Sequence, residues 1–383
     1  MTSIFWACRI NGRQRRPAQV EEPTRSRPIQ AAACGWPHNP KTGRNEMHIT
    51  RVAGAACVLG LVMSASVAQA EKLIVTTNLP TTHWASVQGA EPFMACVTER
   101  TANALEFEYY HSGQLASFFQ SLDAVNSGLA QVSYIVVSAQ SDKLPLTGLT
   151  MMPGLGATAS EITAATRAEL DGDGPIAKEF AGNNIVPLMI NVFPPYQMVS
   201  RSRPLDTLSA LQNTRISSGG GPLLVTLSSL GAVAIETPAA DMYLAMQQGT
   251  IDGSMISLAS IKPYSLQEVI KSASFNGKFG VATGIWSIDS GVWAGLPAEQ
   301  QAALKECGLK VEGELAAWAD AWMQDVRKEL EEQGIQVFDY SEEALAEMDE
   351  KLASARQDYV SRLTSRGLPA QEALDAYAAR LAD

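Results

Sequence analysis

The sequence predicts an α/β protein built as two hinged lobes, each a mostly parallel sheet flanked by helices, with one long lobe-spanning helix. Three observations predict it. From Lys72 short β-rich runs alternate with helical stretches; the alternation restarts as a second cycle near Ile185; and a late strand, Gly280 to Ile288, carries the chain back to the first lobe. The chain has 383 residues, 46% hydrophobic and 18% charged, enough for about two domains with sizeable cores.

Residues 1–46 are rich in Arg, Pro and Gly, show no apolar period and precede Met47, so they read as an extension upstream of the true start. Residues 47–70 read as a cleavable signal peptide: Arg51, the apolar stretch Val52 to Met63, then Ala68, Gln69 and Ala70 as the cleavage site. The stretch is too short and too diluted with Ala, Gly and Ser for a membrane span. Export to the periplasm, with cleavage after Ala70, is the expectation.

In the body, Lys72–Thr77 reads as a buried strand, His83–Thr101 as a helix, and Leu105–Tyr110 as a strand of period two. Ala116–Asn126 follows as a helix stopped by Gly128, then the strand Gln131–Val137. The second cycle runs from Ile185 through the strand Tyr196–Ser200, a helix near Asp206–Gln212 and the strand Thr214–Ser217. Gly219, Gly220 and Gly221 lead to Pro222 at a first helical position, then the strand Ala232–Ile235 and the helix Pro238–Gln248. Glu312–Gln333 is a long amphipathic helix with Leu315, Trp318, Trp322, Val326 and Leu330 on one stripe. The last 70 residues read as helical, with Ser341 as an N-cap. This assigns 71–193 plus 282–318 to lobe I, and 194–281 plus 319–383 to lobe II and the C-terminal helices. Ligand is expected in the cleft at the carboxyl ends of the strands.

Of 29 basic and 40 acidic side chains, nine and three fall in residues 1–70, so the remainder carries −17. Such a surface repels phosphate backbones and anionic lipid, which argues against nucleic-acid binding. Only His83 and His111 among histidines, and Cys96 and Cys307 among cysteines, remain after residue 70, without metal-ligand spacing. The two cysteines read either as buried small hydrophobes or as one disulfide. No G-x-S-x-G, G-x-x-x-x-G-K-[ST] or G-x-G-x-x-G motif occurs, so neither an enzyme nor a cofactor is expected. The triple glycine reads as a turn into a helix or as an amide nest for a carboxylate. Arg215, inside a short apolar strand, needs a neutralising partner: an internal Asp or Glu, or an anionic ligand gripped bidentately.

The order of four segments, His111–Tyr134, Ser202–Ser217, Leu230–Gly253 and Ser290–Leu304, resembles the extracytoplasmic solute receptors of tripartite ATP-independent periplasmic (TRAP) transporters, the dicarboxylate-receptor type, over essentially all of residues 71–383. The resemblance implies a two-lobed periplasmic-binding-protein fold that closes on a small organic acid and delivers it to a small and a large membrane subunit. It carries the family's carboxylate-binding arginine onto Arg215, and further cleft positions onto Asn78, His83, Trp84, Ser218 and Trp286, each of which also reads as packing or capping. In the crossing strand, where relatives place a cation or amide, this chain has Phe193, Pro194, Pro195, Tyr196 and Gln197; after the I-D-G turn it has Met255 and Ile256. Tyr196, Gln197 and Ile256 therefore join the candidate site, and its apolar, aromatic character favours a monocarboxylate with an apolar or aromatic body; a C4-dicarboxylate is the second option. A periplasmic ligand-sensing module or an ATP-driven (ABC-type) importer's receptor would use the same cleft.

Overall fold

The computed structural model describes residues 71–382. The expectations for the upstream extension, the signal peptide and its cleavage lie outside the described residues.

The first sheet has strand order β2-β1-β3-β10-β4, with β1 Glu71–Thr76, β2 Leu105–Tyr110, β3 Val132–Val136, β4 Ile185–Val192 and β10 Thr283–Asp289. The second has order β11-β9-β5-β8-β6-β7, with β5 Tyr196–Ser200, β6 Arg215–Ser218, β7 Val233–Glu236, β8 Gly253–Ser257, β9 Ser272–Ser274 and β11 Gln336–Phe338. In each sheet the strand entered directly from the other lobe, β10 or β5, runs antiparallel to its neighbours. A strand reached without a crossover helix starts at the end facing the other lobe and must run opposite to the strands that finish there. Phe193, Pro194 and Pro195 make one crossing; two prolines keep it extended and offer no N–H to satisfy.

The helices are α1 Glu91–Arg100, α2 Ser121–Asn126, α3 Ala159–Leu170, α4 Pro175–Gly182, α5 Leu208–Leu211, α6 Pro222–Ser229, α7 Ala239–Gln247, α8 Ser290–Gly295, α9 Ala298–Glu332, α10 Glu342–Ser365 and α11 Ala370–Ala382. The helix expected over residues 83–101 begins as a wide turn at Ser86–Ala90 before α1. The one expected over 116–126 is shortened to Ser121–Asn126, because Ser117 and Gln120 form a capping box on a preceding tight turn.

Helix α9 is 35 residues long and starts 14 residues before the sequence pattern suggests. Gly308 interrupts that pattern for a packing reason: α9 lies so close to β4 that a side chain there would strike the Leu188 carbonyl. One turn on, buried Glu312 accepts from Arg167 Nε (2.9 Å) and Nη2 (2.6 Å) and from the Ile190 amide (2.8 Å), fixing α9 to α3 and β4. The stripe Leu315, Val326 and Leu330 is buried, and Trp318 stacks between Trp84 and Trp322. A disulfide, Cys96–Cys307, joins α1 to α9.

The C-terminal helices do not sit on lobe II alone. Helix α10 packs on α5 and α6 but also on the 147–151 turn of lobe I, and Tyr359 donates to the Pro145 carbonyl (3.0 Å). Helix α11 buries Ala370, Ala373 and Tyr377 and packs against α3 and α4 of lobe I.

Candidate functional site

Between the two sheets, at the carboxyl ends of β1, β3, β6 and β8, lies a cavity of about 50 Å³. Lobe I contributes Asn78 and Leu79 after β1, Phe118, Tyr134 and Val136 on β3, Ser138 just beyond it, and Ala282 and Thr283 at the start of β10. Lobe II contributes Tyr196 on β5, Gly219 after β6, Ala239 and Met242 on α7, Ile256 on β8, and Ser260 and Tyr264 in the turn that follows. Phe193 lines it from the crossing segment. Five lining side chains are aromatic and none is charged.

The lining is polar through hydroxyls. Ser138, Ser260, Tyr196 and Thr283 are buried, yet none of their hydroxyls hydrogen-bonds to the described protein; the Thr283 hydroxyl and Asn78 Oδ1 are fully enclosed without a partner. A buried polar group left unpaired costs about 1–3 kcal/mol, so a guest in the cavity that hydrogen-bonds to these groups offsets that cost. Tyr134 does have a partner, donating to Asn191 Oδ1 (3.1 Å). Burial pushes the Tyr134, Tyr196 and Tyr264 phenols upward, which keeps them protonated and able to donate.

Three of the expected site residues, Asn78, Tyr196 and Ile256, line this cavity. Arg215 does not, and the expectation of an unpaired guanidinium there is corrected. Its Nε and Nη2 donate to Asp252 Oδ2 (2.9 Å) and Oδ1 (2.6 Å), and the pair is partly exposed at the entry end of β6. The ligand end of that strand is three residues away. Its ionic hydrogen bonds hold the Asp252 carboxyl below the usual carboxylate range.

Ser218 donates to the Met255 carbonyl (2.9 Å), which ties β6 to β8. Gln197 faces the other way, bonding both Gly277 N (2.9 Å) and O (2.7 Å) and accepting from Ser274. His83 and Trp84 stand one layer behind the cavity: the His83 ring is 5.6 Å from Phe193 and 5.7 Å from Tyr264, and Trp84 is edge-on to Phe193. His83 Nδ1 accepts from the Ala85 amide, and burial lowers the imidazole to about 3, so the ring is neutral. Trp286 packs on Tyr134 at 5.0 Å inside lobe I. The sequence reading missed Phe118, Ser138, Thr283, Ser260 and Tyr264. Ser138, Ser260 and Thr283 had a positional signal, lying at or just beyond strand ends that face the other lobe, whereas Phe118 and Tyr264 sit in turns well past a strand and had none.

A larger cavity of about 410 Å³ lies beyond the crossings, lined by Pro194, Pro195, Gln197, Lys278, Gly280 and Asp320 among others. It is the weaker candidate despite its size, because its buried polar groups are already used; Asp320 caps α3 by accepting from Ala159 N (2.7 Å) and Ser160 N (3.0 Å). Among the described residues no cluster of His, Cys, Asp and Glu could hold a metal ion, and no helix is long and apolar enough to cross a membrane.

Comparison with known proteins agrees with this architecture. A solute-binding protein of Albidiferax ferrireducens is 23% identical over 256 residues, covering 65% of this chain and 74% of that protein. A TRAP solute-binding protein from a marine metagenome, solved with 3-hydroxybenzoate, superposes with a TM-score of 0.77 at 17% identity, over 82% of this chain and 98% of that one. Another, from Rhodoferax ferrireducens T118 with copurified benzoate, gives 0.76 at 18% identity over 82% and 98%. These likenesses establish the two-lobed fold. The sequence profile of one family matches residues 77–362, three quarters of the chain, and by that match the protein belongs to the bacterial extracellular solute-binding proteins, family 7.

Proposed function

We propose that this protein captures a small organic acid with an aromatic or apolar body in the interlobe cavity and delivers it in the periplasm to the small and large membrane subunits of a TRAP transporter. The observation that carries the reading is the cavity itself: aromatic rings from both lobes around a group of buried, unpartnered hydroxyls. The two similar structures hold benzoate and 3-hydroxybenzoate, which have that shape and polarity. A guest touching Thr283 and Ser138 on one lobe and Tyr196, Gly219 and Tyr264 on the other makes contacts only the closed state offers, so it favours closure. Binding breaks no bond, in keeping with the family's role as receptors. The cavity's small free volume means that the open state admits the ligand and the rings repack around it.

The test is thermal unfolding of the purified protein with benzoate, 3-hydroxybenzoate, mandelate and succinate. A ligand at a hundred times its Kd stabilises the native state by about 2.7 kcal/mol. Stabilisation by aromatic acids is expected; no shift with any acid refutes the reading. A gene neighbourhood encoding two membrane proteins of unequal size supports the delivery step.

A further inference from the structure

We infer that this receptor holds its ligand's carboxylate without a cation, between the Gly219 amide and the hydroxyls of Ser138 and Thr283, and therefore selects monoanions over dianions. The inference rests on the reading above and concerns how its site recognises charge.

The only ionic candidate raised by the sequence, Arg215, is committed to Asp252. No Lys, Arg or His lines the cavity. What stands at the end of β6 instead is a run of three amides. Gly219, Gly220 and Gly221 donate no hydrogen bond among the described residues, and Pro222 opens the eight-residue helix α6 behind them. Gly220 and Gly221 have φ of +103° and +57°, values that glycine adopts without strain, and of the three it is Gly219 that lines the cavity. A side chain at Gly219 would lie 3.2 Å from Ser138 Oγ, so glycine here lets a hydroxyl of lobe I approach backbone of lobe II.

A turn before a helix is common and proves little. The independent observation is Thr283: it is 1% exposed, lines the same cavity from the opposite lobe, and its hydroxyl has no partner. Neutral donors in a dry site can hold one ionised carboxylate through several charge-assisted hydrogen bonds. They cannot offset a second. Glu236 sharpens this, since its carboxylate lies against Gly220 where a side chain would be, placing negative charge at the rim.

Titration calorimetry on the full protein with benzoate, benzamide and succinate decides the matter. Benzoate is expected to bind at least about tenfold more tightly than succinate or benzamide, Arg215→Ala to change benzoate affinity by less than about twofold, and the Ser138→Ala/Thr283→Val double variant to weaken it about tenfold or more. Should Arg215→Ala unfold the protein, Arg215→Ala/Asp252→Ala removes both charges and answers the same question. A tenfold loss on removing Arg215, equal binding of benzamide, or succinate matching benzoate overturns the inference while leaving acid capture standing. Absence of binding by every acid refutes the functional reading and this inference together.

Discussion

Arg215 Nη2 lies 2.6 Å from Asp252 Oδ1, and the two side chains form a bidentate pair that closes the loop between α7 and β8 onto the start of β6. The Asp252 amide also donates to the Arg215 carbonyl (2.8 Å), so backbone and side chains lock the same junction. The guanidinium is structural, and its partner was waiting in the I-D-G turn, 37 residues later in the chain.

Because this pair is partly exposed, its removal is expected to matter little. Arg215→Ala and Asp252→Ala should each move the urea midpoint slightly, and the double variant no more than either alone. Asp252, held low by Arg215, adds stability above the ordinary carboxylate pKa that fades as pH falls through its lowered value, so the variants should differ least from the parent in strong acid. Urea melts at pH 7 and pH 3 check this.

His83 predicts a second pH dependence. Folded, its imidazole takes a proton only near pH 3; unfolded, near 6.5. Its contribution is complete above pH 6.5 and is lost as pH falls toward 3, at about 1.4 kcal/mol per unit, or about 2 kcal/mol by pH 5. Asparagine can accept the Ala85 amide in place of Nδ1 without titrating. His83→Asn should flatten the stability profile between pH 6.5 and 5, measured by chemical denaturation.

At the crossing of α9 over β4, Gly308→Ala should cost about 1–3 kcal/mol, because the new methyl meets a backbone carbonyl that cannot move aside. Glu312→Gln should cost more, about 3–5 kcal/mol, by leaving the largely buried Arg167 guanidinium only its longer contact with exposed Asp171 (3.4 Å) as counter-charge. Pairing it with Arg167→Met should restore most of the loss. The double-mutant cycle in unfolding free energy is the measurement.

Reduction of Cys96–Cys307, or the double serine variant, releases a loop of 211 residues from the unfolded chain's constraint. The expected loss is about 2–5 kcal/mol of stability. Both sulfurs lie on α1 and α9, away from the cavity lining, so benzoate affinity measured below the new unfolding midpoint should be unchanged.

The two cycles of strand and helix were legible in the sequence because period and turn residues are local signals. Even the return strand over residues 283–289 could be read, from the glycine that starts it and the apolar run that follows. What could not be read depends on contacts between distant segments. Arg215 is the clearest case: its strand position is visible, but whether Asp252 or a ligand answers its charge is decided by β6 lying beside β8. Ser138 and Thr283 carry no motif, and small hydroxyl residues acquire meaning only when the closure of two lobes dries them. Gly308 looks like a break in a helix until β4 is seen beneath it.

The place of β10 has a consequence for how the molecule comes into being. It is inserted between β3 and β4, strands made 90 or more residues earlier, and β11 completes the other sheet later still. Neither half can finish while the chain is emerging. The first sheet's central pairings therefore wait for the last third of the chain, and joining segments so far apart in sequence makes its completion a slow, late step of folding.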